Sequence, residues 1–268
     1  MTSQSFRRQP EYTTRRRFSL APGIRGLLVT ATDTGIGKTV VSSVIAATLR
    51  DRGERVAVFK PVVTGLDEHG GEPPDHELLR ASAHSEQSDD EVAPYRFGPP
   101  VSPHLAARLA GMQVEPAWLI ECAARAAAGA DALIVEGVGG LAVPLTGGYL
   151  VRDFAADLSF PIVIVARPGL GTINHTLLTL DAARAAGLDV AGVVLTNWPD
   201  EPGEMELSNR ATIRMLGACP VSTLGSLYTG PPINPAGNLP VDAWLARATV
   251  GAGRLSSVRE RLSPLRPR

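Results

Sequence analysis

The chain has 268 residues, 44% hydrophobic and 20% charged, enough for one large or two small globular domains. A net charge of −1 argues against a nucleic-acid footprint spread over the surface, and no apolar run approaches the roughly 18 residues of a membrane helix. Two cysteines far apart in apolar, helix-like surroundings, Cys122 and Cys219, read as buried thiols of a reducing compartment rather than a disulfide or a metal site. The expectation is a soluble cytoplasmic protein with neither nucleic acid nor membrane as a partner.

Residues 1–25 are arginine-rich with a single acid, Glu11, and read as a disordered basic tail, although a transit peptide shares that composition. Residues 26–250 read as one domain. Leu27 to Val29 is an apolar run with strand character, and a glycine-punctuated turn follows. Val40 to Leu49 then has helical spacing, with the helix starting at Lys38. Arg55 to Lys60 is a second strand, ended by Pro61, and residues 62–74 form a glycine-rich, acidic loop. Asp75 opens a helix. Ser102, Pro103 and His104 open another, with an N-cap and an N1 proline. Glu115 to Ala128 is an alanine-rich amphipathic helix. Asp131 to Glu136 is a strand delivering Glu136 at its C-terminal end, before Gly137-Val138-Gly139-Gly140. Pro161 to Ala166 and Val190 to Thr196 are apolar strands separated by a helix over Thr172 to Ala186, and Asn197 ends the second. A helix around Glu204 to Leu216 and a short strand around Val221 complete the domain. Residues 251–268, with five arginines and one glutamate, read as a second disordered basic tail. Apolar strands alternating with helices imply an α/β fold, a parallel β-sheet with helices on both faces. In such sheets ligands bind beyond the carboxyl ends of the strands.

The chemistry-bearing residues cluster at those ends. Strand, loop ending Gly37-Lys38-Thr39, helix is the layout of a phosphate-binding loop, although its strict form has glycine where this chain has Thr32. Gly35 and Gly37 allow backbone N–H groups to turn toward phosphate oxygens, Lys38 supplies a point charge, and Thr39 can join an Mg²⁺ shell. Of 26 basic residues only Lys38 and Lys60 are lysine. A guanidinium cannot replace an ammonium in a tight phosphate cradle, so Lys60 is a candidate for a phosphate or substrate role. Glu136 reads as a carboxylate aimed at nucleotide-bound Mg²⁺ or as a solvated acid beside a turn. Asp75 reads as a metal ligand or as a helix cap. His104 and His175 lack ligand-like spacing, and no Ser-His-Asp order or Gly-x-Ser-x-Gly elbow occurs.

Thr32-Asp33-Thr34-Gly35-Ile36-Gly37-Lys38-Thr39, Lys60-Pro61-Val62-Val63-Thr64-Gly65, Ser102-Pro103-His104, Val135-Glu136-Gly137-Val138-Gly139-Gly140 and Gly171-Thr172-Ile173-Asn174-His175 occur in that order. Together they resemble the dethiobiotin synthetase family over roughly residues 26 to 225. The resemblance implies a single-domain fold of P-loop NTPase type and a homodimer with substrate near the subunit interface. It implies an ATP-dependent cyclo-ligase that closes the ureido ring of dethiobiotin from 7,8-diaminopelargonate and CO₂, with ATP as co-substrate. It places Gly35, Ile36, Gly37, Lys38, Thr39 and Val40 on the triphosphate and Asn197 on the base. Thr39, Asp75 and Glu136 surround Mg²⁺, and Lys38 and Lys60 serve catalysis. Thr64, Gly137, Val138 and Gly139 meet substrate, and Asn174 helps bind its carboxylate.

Val138 stands where the family usually has a small residue. Gly225 to Gly230 lacks the proline that members commonly place beside the base, which leaves the nucleotide open between ATP and another triphosphate. The second reading is a nucleotide switch of the partitioning-ATPase type. Those switches carry an extra lysine early in the loop, where this chain has Ala31, Thr32 and Asp33.

Overall fold

The computed structural model describes residues 24–68, 71, 73–226 and 239–248. The segments read as basic tails lie outside these residues apart from Ile24 and Arg25, and so does Leu227 to Gly230.

β1 (Arg25–Ala31) begins one residue inside the segment read as a tail, and α1 (Lys38–Arg50) follows the phosphate-loop turn. Next come β2 (Val56–Phe59), a short β3 (Val62–Val63), a 3-10 turn at Leu66–Glu68, α2 (Asp75–Ala83), α3 (Asp89–Val92) and β4 (Tyr95–Arg96). The chain continues with α4 (Pro103–Leu109), α5 (Pro116–Ala126), β5 (Ala132–Gly140), a hairpin of β6 (Pro144–Thr146) and β7 (Tyr149–Leu150), and α6 (Val151–Leu158). β8 (Ile162–Ala166), α7 (Thr172–Ala185), β9 (Val190–Trp198), α8 (Glu204–Gly217), β10 (Val221–Gly225) and α9 (Val241–Ala248) complete it.

Six strands form one parallel sheet in the order β10-β9-β8-β1-β5-β2. The strand side chains alternate between two cores, as a period of two requires. Leu27, Val29, Val56, Val58, Ile134, Val163 and Val165 pack with Val41, Val44 and Ile45 of α1, Leu79 of α2 and Trp244 of α9. Leu28, Ala57, Phe59, Leu133, Val135, Ile162 and Ile164 pack with Leu119 of α5, Phe154 of α6, Leu180 of α7 and Ile213 of α8. Both faces are covered, which explains why the strands read as continuous apolar runs. Phe154 is fully buried against Phe59, so Phe154→Ala would cost about 3–5 kcal/mol.

The chain runs from β1 through α1 past β5 to β2 on one side, and later from β5 through α6 back past β1 to β8, β9 and β10 on the other. The turn after β1 therefore lies at the point where the strand order reverses, the place where open parallel sheets bind ligands.

Two expectations change. Residues 62–74 carry β3 and a 3-10 turn, with β3 paired to β4, rather than loop alone. β5 does not end at Glu136 but runs on through Gly140, so the glycines lie in the strand rather than in a turn. Gly139 has φ +58°, and a Cβ there would come within 2.8 Å of Val143 Cγ2, which is why glycine stands there.

Candidate active site

The alternation that places Val56 and Val58 of β2, and Ala132 and Ile134 of β5, on the α1 face carries Lys60 and Glu136 to that same face. Each is the first charged residue after the apolar run on its side. α1 brings Thr39 in its first turn, and α2 brings Asp75 as its first residue. Val29 of β1 is in register with Glu136, which sets that carboxylate beside the strand leading into the phosphate loop.

These four residues converge. Lys60 Nζ donates to Glu136 Oε1 at 2.6 Å and also pairs with Asp75 Oδ2. Thr39 Oγ1 lies 2.9 Å from Asp75 Oδ1 and 3.0 Å from Glu136 Oε1 and, with a single proton, donates to one of them at a time. Glu136 is fully buried, and its second oxygen, Oε2, has no hydrogen-bond partner. A buried ion pair is weak evidence for stability, and an unmet buried carboxylate oxygen is costly. A cation bound at Glu136 Oε2 would meet that oxygen.

Burial works against the Lys60 charge, but Glu136 and then Asp75 outweigh it and hold its pKa above the usual lysine value. Burial pushes the Glu136 carboxyl up, and Lys60 only partly offsets that. Both members of this pair are raised because Lys60 faces two carboxylates, whereas Glu136 shares its cation with Asp75. Burial would also raise Asp75, but the Lys60 charge and hydrogen bond prevail and hold it below its usual value. Burial lowers Lys38 against the pull of Glu136, and Lys60 adds to the lowering.

Asp75 does not cap its helix: Pro74 holds the N-cap position, and the Asp75 side chain turns to Thr39 and Lys60. The solvated-acid reading of Glu136 fails on its complete burial. Thr39, Asp75 and Glu136 present oxygen donors only, a set suited to a hard cation such as Mg²⁺.

The other expected site residues fall in three places. Gly35, Ile36, Gly37 and Val40 lie in or just after the loop, with Gly37 at φ +94° opening α1 and Lys38 buried beneath it. Asn197 is exposed at the end of β9 in the left-handed conformation that asparagine tolerates, next to Thr196, which touches the loop. Gly137, Val138 and Gly139 continue β5 beyond Glu136, and Thr64 is half-buried just after β3. Asn174 is exposed in the first turn of α7, apart from the carboxylate cluster. Ser102 holds the N-cap position of α4 without a side-chain capping bond, and His104 lines a cleft of about 440 Å³ with Arg108, Met112 and Leu145.

Three residues near the loop escaped the sequence reading. Thr196 Oγ1 donates to Ile36 O at 2.6 Å. Arg167, just past β8, pairs with Asp33 of the loop, and Asn209 of α8 donates from Nδ2 to Pro168 O at 2.8 Å. Only the strand-end position of Thr196, one residue before Asn197, could have signalled any of them.

A parallel sheet with a lysine-bearing phosphate loop at its reversal point and a hard-donor cluster beside it defines a P-loop nucleotide-binding protein. In agreement, residues 25–228 match the family model described as an AAA domain. Over 198 residues the chain is 39% identical to the ATP-dependent dethiobiotin synthetase BioD of Bacillus subtilis (strain 168), covering 74% of this chain and 85% of that protein. Over 193 residues it is 43% identical to the ATP-dependent dethiobiotin synthetase BioD of Anaeromyxobacter dehalogenans (strain 2CP-1), covering 72% of this chain and 86% of that one. This chain belongs to the dethiobiotin synthetase family. A ParA family ATPase from Chlorobium tepidum TLS matches at a TM-score of 0.47 and 12% identity, over 76% of this chain and 84% of that one.

Proposed function

We propose that the chain closes the ureido ring of dethiobiotin from 7,8-diaminopelargonate and CO₂ at the expense of ATP, with Mg²⁺ held by Thr39, Asp75 and Glu136. The observation that carries the metal assignment is the Lys60–Glu136–Asp75–Thr39 cluster beside the phosphate loop, with Glu136 Oε2 buried and unmet.

In this reading one substrate amine, as its carbamate, attacks the γ-phosphorus and ADP leaves. The second amine then attacks the carbamoyl carbon, loses a proton and expels phosphate as the ring closes. Phosphoryl transfer asks little covalent chemistry of the protein and depends on positioning and on cations against developing charge. Residues Gly35 to Val40 hold the triphosphate through backbone N–H groups at the positive end of α1. Lys60, kept charged by its two carboxylates, sits where a carbamate oxygen and the γ-phosphate would meet; it orients and neutralises them and does not act as a base. Magnesium, when bound by its three oxygens, supplies further charge neutralisation on the phosphoryl group. Thr64 and the backbone from Gly137 through Val138 to Gly139 face the diamine, and Asn197 faces the nucleotide base. Asn174 helps bind the substrate carboxylate, with Gly171 to His175 at a shared homodimer interface, a reading supported by the exposure of Asn174 and of Leu170 and Leu178 on either side of that stretch. A cytoplasmic location accompanies this reading, supported by the buried free thiols of Cys122 and Cys219. Among the described residues no helix is long and apolar enough to cross a membrane.

The test is incubation with diaminopelargonate, bicarbonate, Mg²⁺ and ATP, with mass detection of the ring-closed product. Product formation by the parent, together with a Glu136→Gln variant that folds but loses its Mg²⁺-dependent turnover, is the expected outcome. Absence of product from folded protein overturns the function, and an unaltered Mg²⁺ dependence in the variant removes Glu136 from the metal shell.

A further inference from the structure

A phosphate loop works by turning its backbone N–H groups inward to the anion. Because each peptide unit is planar and trans, a carbonyl fixed outward fixes the next residue's N–H inward. The unit between Ile36 and Gly37 is gripped in this way. Thr196 Oγ1, near the tip of β9, donates to Ile36 O at 2.6 Å and also lies 3.3 Å from Ala166 O. Thr196 is buried, with 3% of its surface exposed. Its methyl closes the same junction: a Cβ placed on Gly37 would lie 3.3 Å from Thr196 Cγ2. Gly37 has φ +94°, a conformation that costs an ordinary residue and is held here from outside the loop.

From this geometry we infer that Thr196 is a positioning residue for nucleotide binding, orienting the Ile36–Gly37 peptide so that the Gly37 N–H meets a phosphate oxygen. It contacts neither nucleotide nor substrate and acts through the loop backbone. The same residue joins the loop to the end of β8 through Ala166, and it precedes Asn197 in the chain. One strand end thus serves two parts of the nucleotide, the phosphates by way of Thr196 and the base by way of Asn197. The inference rests on the reading of residues 35–40 as the triphosphate loop.

The hydroxyl and the methyl can be separated. Thr196→Val keeps the shape and loses the donor, whereas Thr196→Ser keeps the donor and loses the methyl. Titration calorimetry of the full chain with Mg²⁺ and ATP should show Val weakening ATP by about tenfold, or about 1.4 kcal/mol, with Ser within about threefold of the parent. The diaminopelargonate KM should stay within about twofold in both, a split that general loss of packing would not produce. If Val does not fold, Thr196→Cys, which keeps the volume with a weak donor, carries the same expectation of about tenfold. Parent-like ATP affinity in Val or Cys, or a Ser variant as weak as Val, overturns the inference. A parent chain that does not bind ATP overturns the loop reading itself, and the inference with it.

Discussion

The two halves of the proposed site are built differently. Around Lys60 the groups pair within one chain, with Lys60 just after β2 and Glu136 of β5 buried, Thr39 of α1 and Asp75 of α2 half-buried, and only Glu136 Oε2 among their carboxylate oxygens unmet. At the start of α7 the reverse holds, with Asn174 exposed, Leu170 92% exposed and Leu178 60% exposed. Leu178 lies four residues after Asn174 and so shares its helix face. The phosphate half is thus assembled by the fold of a single chain, on the α1 face of the sheet near its reversal point. The carboxylate half presents apolar and polar groups together to the outside, an arrangement suited to completion by a second copy.

The largest expected effect tests the buried half. Lys60→Arg keeps the charge but puts a wide planar guanidinium between Glu136 and Asp75, where Nζ now reaches both. A displacement of about 1 Å at reacting groups costs on the order of 100-fold in rate, so turnover should fall by that much or more. ATP affinity should change less, because the loop is untouched. Steady-state kinetics beside an ATP titration checks this, and parent-like turnover in Lys60→Arg would reduce the residue to a generic charge.

A smaller effect tests the open half. Replacing Leu170 and Leu178 together by Gln should weaken the proposed dimer and raise the diaminopelargonate KM about tenfold, since each leucine buried at an interface contributes about 1.5–3 kcal/mol. ATP affinity should stay within about twofold. Sedimentation with kinetics at micromolar protein decides it: an active parent that is monomeric, or a double variant with unaltered KM, would remove the second copy from the site.

The smallest effect lies at the opposite end of the sheet, where Asp131 pairs with Arg55 at the starts of β5 and β2. Hydrogen bonds from Arg55 hold this carboxyl down at about 2. A carboxyl depressed in the folded state stabilises above its unfolded pKa of about 3.9, and the contribution fades as pH falls below that toward the folded value. Asp131→Asn should therefore flatten the acid side of the stability profile and leave turnover at neutral pH unchanged. Urea titrations between pH 5 and 3 measure the slope, and a loss of neutral-pH activity would contradict the division between a functional and a purely structural end.

Much of this molecule was legible in the chain itself. Apolar runs fixed the main strands of a doubly covered sheet, because burial on both faces leaves no alternation to confuse with anything else. The glycines and the lysine of residues 35–38 announced an anion loop. The scarcity of lysine singled out Lys60, whose ammonium now lies between two carboxylates. Short or mixed elements were not legible: α6, α9 and the β6–β7 hairpin went unread, and the glycines after Glu136 looked like a turn. Gly137 and Gly140 let β5 pass close to β1, where a Cβ would lie 3.4 Å from Val29 O and 3.0 Å from Ala31 O respectively. Tertiary structure alone excluded the capping reading of Asp75 and the solvated reading of Glu136, since a carboxylate's surroundings depend on its neighbours rather than its spacing. It also made the contact of Thr196, which lies 160 residues from its hydrogen-bond partner Ile36. A hydroxyl at a strand end carries no local signal, and its role appears only when the sheet brings β9 to the side of the loop.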